Sequence, residues 1–449
     1  MRNSPSGNLR CIRLAMLAAA GWLVVAPVRA QEQPVLILTL AEARARALDA
    51  SHRLAEVRAR AAAAGTVVDA REAADRPIVA AQAGYTRTNH VTPFLVPGPG
   101  VLPRVLYPDV PDNYRTRLDV QWPIYTGGRS DALVRAAQAE ASAAKAETDV
   151  ARAELRLEVT RAFWSVVTAR ATVLVLEQAL SRAESNVGDA RARLTAGLVP
   201  PNEVASAEAQ AARQRMLLVE ARNLRDVASA DLARLVGADP GQPVEPRATL
   251  DEAAAPVPAR DRLVAEARAQ RGERQAMEQR VTVAQEGRLA ADATRRPQVA
   301  VGGGVDYARP NPKIFPRTNQ WDDSWDAGIS VSWSLWDGGR AAAEKAQANY
   351  QGEAARQRLA DFDATLDVEL RQRSLEIVSG EAAVSAADEA IRAATEARRV
   401  VGERYRAGVI AQSEVLDAEL TLVQVQLDRT RALANVRLSE ARLDRALGR

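Results

Sequence analysis

WPIYTGGR, at Trp122–Arg129, returns 211 residues later as WSLWDGGR, at Trp333–Arg340. RLTAGLVPPNEVASAE, at Arg193–Glu208, returns at the same distance as RYRAGVIAQSEVLDAE, at Arg404–Glu419. Gly127 maps to Gly338, Gly197 to Gly408, Glu203 to Glu414 and Gly237 to Gly448, with no net insertion between them. A repeat this long is not a solenoid period; it predicts two similar halves, residues 31–248 and 249–449.

Each half reads as helix, strand, loop, strand, very long helix, turn and helix. The strand leading into each Gly-Gly pair carries the clearest pattern. Trp325, Ala327, Ile329, Val331, Trp333 and Leu335 fall on one face, and Asp326, Gly328, Ser330, Ser332 and Ser334 on the other. In the first half Leu118, Val120, Trp122 and Ile124 alternate with Arg117, Asp119 and Gln121. This period of two predicts strands over 78–87, 115–125, 298–308 and 325–336. Their length suits tilted transmembrane strands, and apolar-out, polar-in alternation with aromatics near the ends is the outer-membrane barrel pattern. A half-buried antiparallel hairpin shows the same alternation, so both readings stay open on the strands alone. The Pro-rich stretches Val91–Asp112 and Arg309–Asp322 read as loops between them.

Gly127-Gly128 and Gly338-Gly339 lack the GxGxxG and GxxxxGK[ST] spacings of phosphate-binding loops. They are expected to redirect the chain from strand into helix, where unusual dihedrals are needed. Helices are then predicted over 129–196 and 340–407, each on the order of 100 Å long. No compact core holds such rods; they must pack side by side as coiled coil. Gly197 and Gly408 sit where a helix wants its C′ glycine. Asn202 and Ser413 are the expected N-caps of returning helices over 202–236 and 413–447, each followed by Glu at the positive helix start. The returning helices carry a small-residue stripe from Val204 to Leu235 and from Val415 to Ala446, interrupted by Arg225 and Arg429. Ahead of the strands, Ala/Arg/Glu-rich segments over 38–75 and 260–295 read as single helices ended by Pro77 and Pro297.

The first thirty residues read as a secretory signal: Arg2, Arg10 and Arg13, an apolar Leu14–Ala26, and Val28-Arg29-Ala30 before the expected cleavage. They hold four Arg and no acid, so removing them leaves 56 basic and 57 acidic side chains. A chain near neutrality gives no reason to expect nucleic acid. Cys11 is the sequence's only cysteine, and His52 and His90 its only histidines. With no HExxH or GxSxG, neither catalysis nor a cofactor is expected. Four strands cannot close a barrel, since spanning barrels start at about 8 and tolerate no open edge in lipid. Several chains must therefore pool their strands if these cross a membrane.

The signal, the strand pairs ending in Gly-Gly and the two AG-x-x-x-x-[NS]-E-V hairpins resemble the TolC-like outer-membrane efflux protein family, over about Leu38 to Arg449. The resemblance implies a mainly α fold with a small membrane β part, in which a homotrimer builds one 12-stranded β-barrel and a helical tunnel. It implies a place in the outer membrane, extending into the periplasm, in contact with outer-membrane lipid. It implies an export channel of a tripartite efflux pump or type I secretion system, with a periplasmic adaptor (membrane fusion) protein and, through it, an inner-membrane pump. A non-pore periplasmic coiled-coil scaffold is the alternative; it leaves the tryptophan strands unexplained. Carried over by position, the adaptor-contact tips are Leu194, Ala196, Gly197, Leu198 and Val199, with Ala407, Gly408, Val409 and Ile410. The periplasmic gate is Glu414, Asp417, Tyr405 and Glu203: the first two would form carboxylate rings, and Tyr405 would donate its hydroxyl to Glu203. Helix-start electrostatics alone also accounts for Glu203 and Glu414. The family's Arg two residues beyond the tip glycine is Ile410 here, so an Arg–carboxylate lock at that position is not expected.

Overall fold

A computed structural model describes residues 35–98, 101–239, 241–252 and 256–449. The expected signal and Cys11 lie outside the described residues. The chain divides into a four-stranded sheet and a bundle of long helices. The sheet contains β2 (Ile78–Arg87), β5 (Asp112–Tyr125), β7 (Gln298–Arg309) and β8 (Asp322–Ser332), in the order β2-β5-β7-β8 and antiparallel throughout. Its register places Leu118 opposite Val305 and Val305 opposite Trp325, so one face is apolar across all strands. That face is bare: Trp325 is 75% and Ile329 73% exposed. The opposite face carries Arg115, Arg117, Asp119, Asp306 and Asp326 among glycines. Tyr85, Tyr114, Tyr307 and Trp321 form a continuous aromatic group at one end, with neighbouring centroids 4.9–5.9 Å apart. At the other end Trp122 and Trp333 donate their indole N–H to the carbonyls of Asp75 and Arg295, both at 3.0 Å. Aromatics at both edges of a bare apolar band follow the pattern that membrane barrels present at their two interfaces.

Two strand readings need correction. β8 ends at Ser332, short of the expected 336, because its partner β7 begins at Gln298, which pairs with Ser332. Trp333 has left the ladder and serves as an anchor on the preceding helix end instead. The stretch Val91–Asp112 is more than loop: β3 (Phe94–Gly98) and β4 (Val101–Tyr107) form an antiparallel ribbon within it. Pro97 and Pro103 obscure that ribbon in the sequence, and a two-stranded ribbon tolerates them because its outer edges need no partner.

The helical part is built on α3 (Arg129–Thr195) and α7 (Arg340–Arg406), each of 67 residues and about 100 Å long. α4 (Pro201–Leu235) returns along α3, and α8 (Gln412–Leu447) along α7. The seam of the returning helices is small and buried: Val204, Ala207, Ala211, Gln214, Leu218 and Ala221 in one, Val415, Leu422, Val436, Ser439, Leu443 and Ala446 in the other. Arg225 and Arg429 remain half exposed, their guanidinium groups meeting carboxylates at the seam's edge.

The segments read as single helices over 38–75 and 260–295 are each two. The first is α1 (Leu40–Ala50) and α2 (His52–Ala73), the second α5 (Arg260–Gln270) and α6 (Gly272–Ala293). The breaks fall on Ser51 and Arg271, both extended, at φ −72° and −71°. Ser51 caps the next helix by accepting from the Leu54 N–H at 3.2 Å. At the second break Gly272 lies so close to α3 that a Cβ there would stand 2.7 Å from the Ala146 carbonyl. Between the halves, β6 (Val244–Pro246) pairs in parallel with β1 (Leu36–Leu38). The linker is thereby tied to the chain's first described residues, a long-range pairing with no local signal.

One core surrounds Phe163, with Leu155, Val159, Val166 and Leu232. The other holds Leu366, Leu370, Ile377 and Leu443, which stand 211 residues after those last four. The Phe163→Ala variant is expected to lose about 3–5 kcal/mol, read as a lower thermal unfolding midpoint in detergent. An unchanged midpoint would show that this core does not hold the helices together.

Candidate functional site: the hairpin tips and the strand-to-helix turns

The two turns between sheet and rod are built alike. Gly127 and Gly128 have φ of 69° and 83°, and Gly338 and Gly339 have 71° and 88°, left-handed values that penalise any side chain. At Gly127 space matters as well, since a Cβ would stand 2.8 Å from that of Arg296. Arg296 donates to the Gly127 carbonyl at 2.9 Å, tying α6 to the turn. Each glycine pair is preceded by a residue that caps the following helix. Thr126 Oγ1 accepts from the Ser130 N–H at 3.2 Å. Asp337 accepts from the N–H groups of Ala341 at 2.8 Å and Gly339 at 3.0 Å. These backbone donors, Ala341 first, hold the Asp337 carboxyl below the usual carboxylate range. Thr126 and Asp337 stand at the 211-residue offset, a signal that the sequence reading passed over.

The opposite ends of the rods are two hairpin tips. Leu198 N–H donates to the Arg193 carbonyl and Gly197 N–H to that of Leu194, both at 2.9 Å. Val409 and Gly408 do the same to Arg404 and Tyr405, at 3.0 and 2.9 Å. Gly197 (φ 71°) and Gly408 (φ 73°) thus close Schellman motifs. Asn202 and Ser413 are not N-caps. α4 begins at Pro201 with Pro200 as cap, and α8 begins at Gln412 with Ala411 as cap. Pro201 suits the first helical position because its missing N–H would have found no partner there. Ala196, Gly197, Leu198, Ala407, Gly408 and Val409 are exposed, and Val199 and Ile410 half so. Leu194 packs on Ala190, Val204 and Ala207, inside its own hairpin.

Between the tips lies a small polar cluster. The Tyr405 hydroxyl faces a Glu203 carboxylate oxygen at 3.5 Å, the outer limit of a hydrogen bond. Burial pushes the Tyr405 phenol up, with Glu203 acting in the same direction, so the hydroxyl stays a donor. Arg193 lies over the Tyr405 ring, 4.3 Å from its centroid, and donates to the Tyr405 carbonyl at 3.2 Å. A cation on an aromatic face and one hydrogen bond thus join the first hairpin to the second. Sequence reasoning missed Arg193 because it sought the arginine at position 410; Arg193 stands on the other hairpin. Further up, Glu419 is nearly buried between Arg182, at 3.0 Å, and Arg398, at 3.2 Å, which joins α3, α7 and α8. Glu414 and Asp417 are not drawn into either cluster. Both are exposed, and neither carboxylate makes an ion pair or hydrogen bond among the described residues.

The family model described as outer membrane efflux protein matches residues 43–238 and 263–449. Among curated proteins, Protein CyaE of Bordetella pertussis is 30% identical over 125 residues, 27% of this chain and 26% of that one. The matched stretch therefore spans about a quarter of that relative's length. Among solved structures, the outer membrane protein VceC of Vibrio cholerae matches with a TM-score of 0.75 at 21% identity, over 91% of this chain and 96% of that one. The outer membrane channel MtrE of Neisseria gonorrhoeae, in its open state, matches with 0.75 at 19% identity, over 91% and 88%.

Gly408 has open space around it, so only its left-handed backbone resists a side chain. Gly408→Ala is expected to cost about 1–2 kcal/mol locally, seen as faster protease nicking between Tyr405 and Gln412. Cleavage at the wild-type rate would remove the strain argument.

Proposed function

The chain belongs to the outer membrane efflux protein family, and from that premise we propose that three copies form an export channel across the outer membrane. One observation carries the reading: a sheet with a bare apolar face runs through Gly-Gly turns directly into two rods of 67 residues. Four strands per copy give twelve, enough to close a barrel with no free edge. The rods then continue the barrel as a tunnel through the periplasm. The faces they leave bare, such as Met216, Val219 and Val227 on α4 and Val368, Leu375 and Val378 on α7, are where neighbouring copies pack.

In this reading the hairpin tips are the periplasmic end. The exposed Leu198 and Val409, with Ala196, Gly197, Ala407 and Gly408, meet a periplasmic adaptor that links the channel to an inner-membrane pump. The tip cluster is the gate. Arg193 and Glu203 of one hairpin hold Tyr405 of the other, and so supply from position 193 the cation that position 410 lacks. Glu414 and Asp417, three residues apart on one exposed helix face, form carboxylate rings in the trimer and favour cations in the lumen.

Chemical crosslinking in detergent is expected to stop at three chains. In planar bilayers the trimer is expected to conduct, and Glu414→Gln with Asp417→Asn to lower its cation preference. Unchanged selectivity would sink the ring assignment, and a soluble protein with no conductance would sink the channel. Arg193→Ala, by freeing Tyr405, is expected to raise open probability; an effect no larger than that of Arg404→Ala would remove Arg193 from the gate.

A further inference from the structure

We propose that the segment between β7 and β8 is a collar turned over the lumen face of the sheet, narrowing the outer mouth, and that Lys313 is its latch. The proposal rests on the channel reading above. Its first support is a break in the exposure pattern of β7. Val305 and Tyr307, on the apolar face, are 52% and 51% exposed, while Asp306 and Ala308, on the polar face, are 0% and 1%. In a lone chain the polar face of this sheet has no second layer to cover it, and further down the same face Gly302 and Gly304 stay half exposed. The cover at Asp306 is shared between Arg115 and Arg117 of the neighbouring strand and Lys313 of the chain's own segment 310–321.

The hydrogen bonds show how that segment is held. Asn311, itself buried, donates to the Asp322 carbonyl at 3.0 Å and to Ser324 Oγ at 2.9 Å, and accepts from the Lys313 N–H at 2.9 Å. Lys313 then reaches back over the polar face, with Nζ 2.9 Å from Asp306 Oδ2 and paired with Asp326 as well. Arg115 holds the other oxygen of Asp306 at 2.6 Å, and Arg117 bridges to Asp326 at 2.8 and 3.1 Å. At the far side, Arg317 donates to the Tyr107 hydroxyl at 2.6 Å and lies over its ring, joining the segment to the β3–β4 ribbon. Trp321, stacked on Tyr307 on the apolar face, pins the segment's exit to the membrane girdle. The segment is thus held over the polar face near its start by Asn311 and Lys313, to the ribbon at Arg317 and to the girdle at Trp321, while Phe315 between them stays exposed.

The latch has an outer and an inner pair: Lys313 and Asp326 are partly exposed, where ion pairs are individually weak and screened by salt, while the pair with buried Asp306 is the firmer one. Three such collars around one axis would set the size of what leaves the outer end, separately from the gate at the tips.

The test reads passage through the mouth from outside. Gly328 lies on the polar face one step further into the barrel than Asp326, and a Cβ there meets nothing within 4 Å. Phe315 is exposed on the collar itself. In intact cells and a Cys11→Ser background, Gly328→Cys and Phe315→Cys are treated with a polymer-linked maleimide too large for general porins. With the collar intact, the Gly328→Cys thiol is expected to react roughly tenfold more slowly than the Phe315→Cys thiol. Adding Lys313→Met is expected to bring the two rates together, and Lys313→Arg to keep them apart. Equal rates with the collar intact would overturn the proposal, and that comparison stands even if Lys313→Met fails to insert. A ratio unmoved by Lys313→Met would remove Lys313 as the latch. Protection of Gly328→Cys in a trimer that conducts nothing in bilayers would fail the channel reading and leave the collar standing.

Discussion

A sheet whose two edge strands are unpaired cannot stand in lipid, and the rest of this molecule answers to that constraint. Within the chain the sheet stops at β2 on one side and β8 on the other. In the hydrocarbon core each unmatched N–H or C=O costs several kcal/mol. On the proposed channel, closure comes from other copies, and closure by copies imposes a common axis. Everything continuous with the sheet must then respect that axis, including the two rods that leave it through Gly127-Gly128 and Gly338-Gly339. The turns use left-handed backbone at both glycines to pass from strand into helix within two residues. Thr126 and Asp337 satisfy N–H groups left open at those helix starts, which lets such abrupt turns begin stable helices.

The same constraint explains the helical part's composition. Rods about 100 Å long cannot gather around one core. They gain stability from seams, and seams in a curved wall need close approach on the inside. Hence the buried alanines along α3 and α4 and the larger residues gathered where α1, α2 and α5 buttress the rods around Phe163 and Leu366. The cores of the two halves use residues at one offset, so the two halves are built alike.

Much of this was legible in the sequence, because it rests on periodicity. Alternation at Trp325–Val331, the uninterrupted rods and the glycines at fixed offset are local signals, and they led to the fold. What escaped depends on contacts between distant segments. The break at Arg271 goes with how close Gly272 lies to α3, which no residue pattern within 260–295 announces, whereas Ser51 is a local cap signal inside 38–75 that the sequence reading passed over. The pairing of β1 with β6 joins residues more than 200 apart. The end of β8 is fixed by where β7 starts. At the tips, the approach of Tyr405 to Glu203 was readable from position, whereas Arg193 was not, since its partner lies on the other hairpin.

The two halves differ in the side chains at their tips. Identical tips would give no reason for one hairpin to hold the other. Here Tyr405 replaces the apolar Leu194 at its equivalent position, and Leu194 turns into its own hairpin. Arg193 and Arg404 are both kept, yet only Arg193 finds an aromatic face across the junction. Glu419 is clamped by Arg182 and Arg398, while its equivalent Glu208 meets only Arg191 on the facing helix at the surface. On the proposed channel, a wall needs likeness between halves, and a gate at the tips needs complementarity. The chain meets both demands by keeping backbone and seam positions equal and changing the few side chains that face across the tips.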